Sequence, residues 1–528
     1  MSGLTFFLFA AFAYFAWCRL LQYLHIFQQE EYNSRRFWRW IVRTRAFDRR
    51  VSGALLAVVV LGFFLPPGIE ELLIAAAFIL FSFFENDPRK SAKKKLVITK
   101  RARRIFGIAL GFCFAAGAMT SQDANPLLWI VVVQLMPLSL MLSNSLLAPV
   151  EDRIQRKILE EARAIVAKTN PKVIGITGSF GKTSVKHILG HVLELNAPTL
   201  FTPGSVNTLM GISRIVREKL TPDIRYFLAE MGAYGQGSIE KLCGLTPPHC
   251  GIITAIGEAH FERFKTLDSV ARAKFELAEA VVSHDEGKMI VQEGVLAQEY
   301  ARMFVEKHRA QFIVCGRDAS ADLKIGKVEQ TASGLTVSVQ WQEKNYDLFA
   351  PLHGAVHADN MALAFVTALM CGVTAERAVA ALRTTPQIAH RLEVKPLSDG
   401  TVYIDDAYNS NPQGFASALD LLSVIASEKK ARRILVTPGV VELGEKNDEI
   451  HRALGEKAAQ NADVVLVVRA DKIPTFIEGF KSAAANKEAF AVASFKEARE
   501  WLGKNVKAPD VILLENDLPD VDETKLAL

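Results

Sequence analysis

The sequence predicts an α-helical membrane region followed by two α/β domains, a phosphate-loop domain on a parallel sheet and a smaller Rossmann-like domain. Three observations carry this. Residues 1–148 hold five strongly apolar segments, and residues 173–184 read as a buried strand, a glycine-rich turn and a helix start. From there on, short apolar runs alternate with helical stretches, the pattern of parallel sheets covered on both faces. A chain of 528 residues has room for about three domains.

The apolar segments are 4–27, 51–65, 69–84, 105–120 and 127–148, and each is predicted as a membrane helix. A crossing needs about 20 residues, so flanking residues must complete the shorter ones. Pro66-Pro67-Gly68 leaves open a re-entrant pair over 51–84. Arg19 interrupts the first segment and more apolar segments follow, which argues against a cleavable signal peptide. Apart from Arg19 these segments offer almost no charge of the kind a transport pathway needs.

Charge sets the orientation. Arg35, Arg36, Arg39, Arg43, Arg45, Arg49 and Arg50 lie in 28–50 and nine basic residues lie in 85–104, while the connectors 66–70 and 121–126 carry none. Five spans with an external N-terminus put both basic loops and everything after Pro149 in the cytoplasm. The expected location is the cytoplasmic (inner) membrane, multi-pass, with the catalytic domains in the cytoplasm. Residues 1–148 carry 17 Lys and Arg against 8 Asp and Glu, and the remainder 45 against 49. The basic excess thus belongs to the membrane collar, where anionic lipid head groups are the expected partner and nucleic acid is not. Trp38 and Trp40 among the arginines suit an interfacial amphipathic helix.

Residues 149–170 are polar with Ile154, Ile158, Ala162 and Ile165 at helical spacing, a connecting helix. The next segment, Val173-Ile174-Gly175-Ile176-Thr177-Gly178-Ser179-Phe180-Gly181-Lys182-Thr183-Ser184, is a phosphate cradle. Gly178 and Gly181 let backbone N–H groups of the loop, including those of Ser179 and Ser184, approach phosphate oxygens. Lys182 adds a point charge and Thr183 a hydroxyl for Mg²⁺. The expected ligand is a nucleoside triphosphate. The common spelling has a glycine where this chain has Ile176, so the loop is a variant form. Strand-like runs follow at 226–231, 251–256, 402–405, 434–437, 464–468 and 511–514. A shift near 386–391 separates an ATP-binding domain at 171–388 from the Rossmann-like domain at 389–528. Substrates are expected in the cleft between these two. The six cysteines show no C-x-x-C spacing, so neither a zinc site nor disulfides are expected.

The spelling TGSFGKTS resembles the phosphate loop of the Mur ligases, the ATP-dependent amide-bond-forming enzymes of peptidoglycan precursor synthesis. Further segments support the resemblance in the same order. They are Asn207-Thr208-Leu209-Met210-Gly211-Ile212, Leu228-Ala229-Glu230-Met231-Gly232-Ala233, Ile253-Thr254-Ala255-Ile256-Gly257-Glu258-Ala259-His260 and Ala271-Arg272-Ala273-Lys274. His390-Arg391-Leu392-Glu393, Asp405-Asp406-Ala407-Tyr408-Asn409-Ser410-Asn411-Pro412 and Glu442-Leu443-Gly444-Glu445 follow. The last two are similar to the MurF branch, which adds D-alanyl-D-alanine to a UDP-linked muramoyl tripeptide. The resemblance covers about residues 171–528.

The resemblance implies a ligase with ATP and Mg²⁺ as cofactors. A carboxylate does not react with an amine at neutral pH, so it must first attack the γ-phosphate of ATP to give an acyl phosphate. Bringing two anions together is a matter of positioning and electrostatics. By resemblance Lys182 holds the β/γ-phosphates, Thr183 and Glu230 hold one Mg²⁺, His260 a second, and Lys274 is carboxylated by CO₂. Asn360 matches the adenine-side asparagine, with Val356 and His357 in place of the family's His and Asn. Arg391 reaches the phosphates and Asp406 the ribose or the closed cleft. Asn207, Tyr408, Asn409 and Asn411 shape the substrate side. Thr437-Pro438-Gly439-Val440-Val441 departs from the family's spelling and removes an acid. Apolar helices also stand where MurF enzymes carry the domain that holds uridine diphosphate. The implied acceptor is a small-molecule cell-wall peptide precursor. The rivals are a lipid-linked or polymeric acceptor such as polyglutamate, and a membrane transport or signalling ATPase.

Overall fold

The structure is a computed structural model and describes residues 3–64, 66, 68–90, 95–122, 125–257, 264, 266–408, 411–441 and 443–516. The described residues divide into two compact units, 3–156 and 157–516. His260 and Asn409 lie outside the described residues.

The first unit is helical: α1 (Gly3–Gln29), α2 (Ser34–Thr44), α3 (Arg50–Gly62), α4 (Ile69–Phe83), α5 (Lys100–Thr120) and, as far as residue 156, α6 (Pro126–Thr169). Its core is aromatic. Phe12 lies 5.3 Å from Phe78 and 4.8 Å from Trp129, ring centroid to ring centroid, and such tilted and edge-on pairs add to the burial energy of the rings. By length and composition α1, α5 and α6 are long and apolar enough to cross a membrane. The segments expected as five spans therefore divide into three long helices and a shorter hairpin, α3–α4, of 13 and 15 residues. The basic segment 28–50 contains α2, capped by Asn33, whose side chain accepts from the Arg36 N–H at 3.1 Å. Trp40 is buried and Trp38 exposed, so only one of the two expected interfacial tryptophans is free to meet lipid.

Residues 149–169 are helical. They continue from the preceding apolar segment in α6, which contains both Pro137 and Pro149. Each proline removes an N–H bond and crowds the carbonyl four residues before it, a local cost that strong helix formers such as Leu, Met and Ala on either side offset. Arg19 of α1 is ion-paired. Its guanidinium pairs with Asp48, just before α3, and with Glu85, just after α4, at 2.6 Å from Glu85 Oε1. The partners escaped notice because they sit outside the apolar segments.

The second unit holds two sheets. The first has order β2-β3-β1-β4-β5-β6-β7-β8-β9. Its strands are β1 (Lys172–Thr177), β2 (Thr199–Phe201), β3 (Tyr226–Glu230), β4 (Cys250–Ile253), β5 (Lys288–Gln292), β6 (Phe312–Gly316), β7 (Leu323–Thr331), β8 (Gly334–Trp341) and β9 (Lys344–Ala350). Strands β2 to β7 run parallel, while β7, β8 and β9 form an antiparallel meander that the sequence reading did not resolve. Helix α7 (Lys182–Glu194) packs on one face with a later helix, His357–Met370, of whose residues most are buried. A helix buried nearly all round reads as continuously apolar, as residues 361–370 do. The opposite face is covered by Leu209–Lys219 and Leu267–Val282, with Ala162 and Val166 from the end of α6.

The second sheet has order β10-β11-β15-β12-β13-β14, with β10 (Glu393–Pro396) antiparallel and β11 (Val402–Asp406), β12 (Arg433–Thr437), β13 (Val464–Val468), β14 (Glu488–Val492) and β15 (Val511–Glu515) parallel. The described strands agree with the predicted runs at 173–177, 226–231, 402–405, 434–437, 464–468 and 511–514 to within a residue or so. All six cysteines are free.

Candidate active site

The carboxyl ends of parallel strands deliver the site, as open α/β sheets require. β1 ends at Thr177 and opens into the turn 178–181, from which α7 starts. Gly181 caps α7 at φ +81°, a left-handed conformation natural to glycine, and a Cβ there would lie 2.7 Å from Asn360 Oδ1. At Gly178 a Cβ would strike Thr254 Oγ1, so the backbone is pressed against the end of β4. Ser179 fastens the turn from the other side, its Oγ donating to the Gly257 carbonyl at 3.0 Å and accepting from the Gly257 N–H at 2.9 Å. The result is a rigid cradle of N–H groups at a helix start, suited to an anion.

β3 ends at Glu230, whose carboxylate is buried. Thr183 Oγ1 donates to Glu230 Oε2 at 3.0 Å, Lys186 Nζ to the same oxygen at 2.8 Å, and Asn207 Nδ2 to Oε1 at 3.2 Å. Asn207 is itself held by the Tyr234 hydroxyl at 2.8 Å. Lys182 Nζ curls back onto the Gly178 carbonyl at 2.6 Å and the Ser179 carbonyl at 3.3 Å. Burial pushes the Lys182 ammonium down, Glu230 opposes this, and the charges of Arg391 and Lys186 reinforce it.

Lys274 lies on the helix Leu267–Val282 and is 5 % exposed. Burial, with the nearby Lys182 charge, holds it well below the usual lysine range. Thr183 and Glu230 bring a hydroxyl and a carboxylate together, the hard oxygen donors that suit Mg²⁺.

The remaining side chains come from the second half of the unit. Arg391 stacks on Tyr408 at 4.6 Å. Asp406, at the end of β11, accepts from the Leu392 N–H at 3.2 Å and is hydrogen-bonded to Glu515, its register partner on β15. Burial pushes the Asp406 carboxyl up to about 6 against the pull of Arg391. Asn360 Nδ2 donates to the Val356 carbonyl at 3.2 Å. His357 beside it is buried and held down at about 4, so it is neutral at physiological pH.

Ser179, Gly181, Lys182, Thr183, Ser184, Asn207, Glu230, Asn360, Arg391, Asp406, Tyr408 and Asn411 all line one cavity of about 400 Å³. Gly178 and Lys274 are not among the lining residues, although Lys274 is near enough to Lys182 for their charges to interact. The sequence reading missed Lys186, one helical turn after Lys182 and on the same face, a spacing that was legible. It also missed Glu515, which only the strand register could reveal. A second group, His390, Glu393 and Asp405, holds ligand-type atoms within 4.8 Å of one another. Lys395 Nζ already bonds both carboxylates there, at 2.9 and 2.7 Å.

Two family models match this chain, the Mur ligase middle domain over residues 176–368 and the Mur ligase glutamate ligase domain over 390–515. The UDP-N-acetylmuramoyl-tripeptide–D-alanyl-D-alanine ligase of Escherichia coli K12 is 28 % identical over 305 residues, which are 56 % of this chain and 64 % of that protein. Its counterpart from Mycobacterium tuberculosis H37Rv is 30 % identical over 292 residues, 54 % of this chain and 56 % of that one. The chain thus spans less than two thirds of the length of these relatives. The MurF ligase of Thermotoga maritima, solved in complex with ADP, shares the fold at a TM-score of 0.59 and 22 % identity, covering 70 % of this chain and 82 % of that one. With both characteristic domains present in order, this chain belongs to the Mur ligase family and is MurF-like.

Proposed function

We propose that the chain is a membrane-anchored, ATP- and Mg²⁺-dependent amide ligase that joins an amino acid or dipeptide amine to the carboxylate of a peptidoglycan precursor peptide. The observation that carries this reading is the convergence on one cavity of the phosphate loop, the Thr183–Glu230 pair, and Arg391 and Asp406 from the second sheet. The Thermotoga relative's ADP supports a nucleotide at the loop.

In this reading the loop N–H groups and Lys182 hold the β/γ-phosphates. The acceptor carboxylate oxygen attacks the γ-phosphorus and ADP departs, leaving an acyl phosphate. The amine nitrogen then attacks the acyl carbon, inorganic phosphate leaves and the amine proton goes to solvent. Arg391 offsets negative charge on the transferring phosphoryl group, and the walls hold the reacting groups in line. Thr183 and Glu230 would hold one Mg²⁺ and His260, as the resemblance implies, a second, and such ions would supply positive charge against the phosphate oxygens. Burial lowers the proton affinity of Lys274, which favours release of the lone pair that attack on CO₂ requires. The ammonium first loses a proton to solvent, the nitrogen lone pair forms an N–C bond as one C=O π bond of CO₂ opens, and loss of a second proton leaves an anionic carbamate where a repelling cation stood.

Membrane anchoring is supported by the three long apolar helices and by exposed Phe63, Phe64, Phe83 and Met119, which water would penalise. The proposed location is the inner membrane with the ligase domains in the cytoplasm, where ATP is. These helices also favour a second reading in which the acceptor is lipid-linked. Incubating detergent-purified protein with ATP, D-alanyl-D-alanine and UDP-linked, lipid-linked or free peptide acceptors, followed by mass spectrometry, separates the readings. An amide product with a UDP-linked acceptor is expected. ATP hydrolysis without any acceptor-dependent product would overturn the ligase reading.

A further inference from the structure

The first unit carries its own depth scale. Helices α3 and α4, of 13 and 15 residues, rise about 20 and 22 Å at 1.5 Å per residue. Arg19 holds both feet of this hairpin, Asp48 and Glu85, at its own level. At the far end Gly68, in the hairpin tip, lies beside Leu4 near the start of α1. From Gly3 to Arg19, α1 rises about 24 Å, the same height and short of the ~30 Å hydrocarbon core.

Helix α2 lies beyond that level. Phe37 packs edge-on against Tyr23 and tilted against Phe27, with centroids 6.4 and 4.9 Å apart. Those residues sit one and two turns past Arg19, roughly 6 to 12 Å further along α1. The start of α1 and the contacts of α2 are therefore about 30 to 36 Å apart along that helix, the distance at which acyl chains give way to headgroups.

The surface of α2 matches such a boundary. Phe37, Trp40 and Ile41 are buried in the unit. Arg35, Arg39 and Arg43 recur every fourth residue and so share one face. All three are exposed, and none has an ion-pair partner among the described residues. Trp38 and Val42 form an exposed apolar stripe beside them, 39 and 51 % accessible, and Phe47 packs edge-on against Trp38. An apolar stripe next to unpaired guanidinium groups is what an interfacial helix on an anionic surface presents.

We propose that α2 lies in the plane of the inner membrane interface and binds anionic phospholipid headgroups through Arg35, Arg39 and Arg43, with Trp38, Val42 and Phe47 seated at the acyl boundary. This rests on the membrane reading given above and names the lipid partner and its residues. It is tested with the full chain in phosphatidylcholine nanodiscs with or without phosphatidylglycerol, reading retained lipid by native mass spectrometry. Wild type should retain phosphatidylglycerol preferentially. The triple variant Arg35→Gln, Arg39→Gln, Arg43→Gln should lose that preference, on the order of a hundredfold if each arginine contributes as basic residues near a membrane surface do. A nitroxide at position 42 should be reached by oxygen and one at position 43 by an aqueous relaxant. Unchanged phosphatidylglycerol preference in the triple variant, or equal aqueous access at positions 42 and 43, overturns the inference. Release of wild type from membranes by alkaline carbonate would overturn the membrane reading instead.

Discussion

Lys186 Nζ lies 2.8 Å from Glu230 Oε2, with both side chains sealed from solvent. This ion pair joins the second turn of α7 to the end of β3, and Thr183 shares the same carboxylate oxygen. Removing the ammonium alone strands a buried charge. Lys186→Met should therefore destabilise the second unit by about 3–5 kcal/mol, read from urea unfolding. A loss below about 1 kcal/mol would show that Glu230 needs no such partner.

Lys182 holds no core together, since among the described residues its ammonium hydrogen-bonds the Gly178 and Ser179 carbonyls of its own loop. Lys182→Ala should lower ATP-dependent product formation on the order of 10²–10³-fold, the usual cost of removing one charge-stabilising donor, at an unchanged melting temperature. Wild-type turnover in the variant would sink the phosphate-loop reading.

For Lys274 the expected outcome is chemical rescue. Lys274→Ala should lose activity, and acetate should partly restore it by placing a carboxylate where the carbamate stood. A lysine acting as a cation predicts no rescue, since a further anion beside ATP only adds repulsion. Rates with and without acetate at constant ionic strength decide, alongside the mass of the wild-type residue in bicarbonate.

Asp406 makes stability depend on pH. Its carboxyl titrates at about 6 in the fold against the ordinary 3.8, chiefly because it is buried. Between those values the folded state binds the proton and the unfolded chain does not, so this contribution is present below pH 4 and is lost as pH rises through 6. Relative to Asp406→Asn, wild type should lose melting temperature between pH 4 and 6.5. A constant difference between the two proteins would refute the raised value.

Topology is checked by membrane-impermeant labelling of single cysteines at 66, 90 and 122 in a cysteine-free background. Positions 66 and 122 should react from outside and 90 from the cytoplasm. Failure at 66 with success at 122 would show that α3–α4 hangs from the inner leaflet.

Much of this was legible in the sequence, because a phosphate loop is a local device. Residues 177–184 specify strand end, glycine turn and helix start within a few positions, and the geometry follows from backbone conformation. The same holds for β13, a continuous apolar run buried on both faces. What was illegible depends on register or distance. The Asp406–Glu515 contact exists because β11 and β15 are neighbours in register although more than 100 residues apart. The meander β7–β9 does carry a two-residue alternation, visible as burial switching along 334–341, but it was submerged among the buried parallel strands. The partners of Arg19 lay outside the apolar segments, where a search along single helices does not look.

That last contact has a consequence for how the chain is made. Arg19 emerges from the ribosome 29 residues before Asp48 and 66 before Glu85. In the proposed anchor its guanidinium therefore emerges before either counter-ion does, and an unpaired charge in the bilayer costs several kcal/mol. On that proposal, stable insertion of the first helix would wait for the α3–α4 hairpin, and the N-terminal unit would insert as one cooperative event. A ribosome stalled before residue 85 should expose a first helix that alkali can still extract.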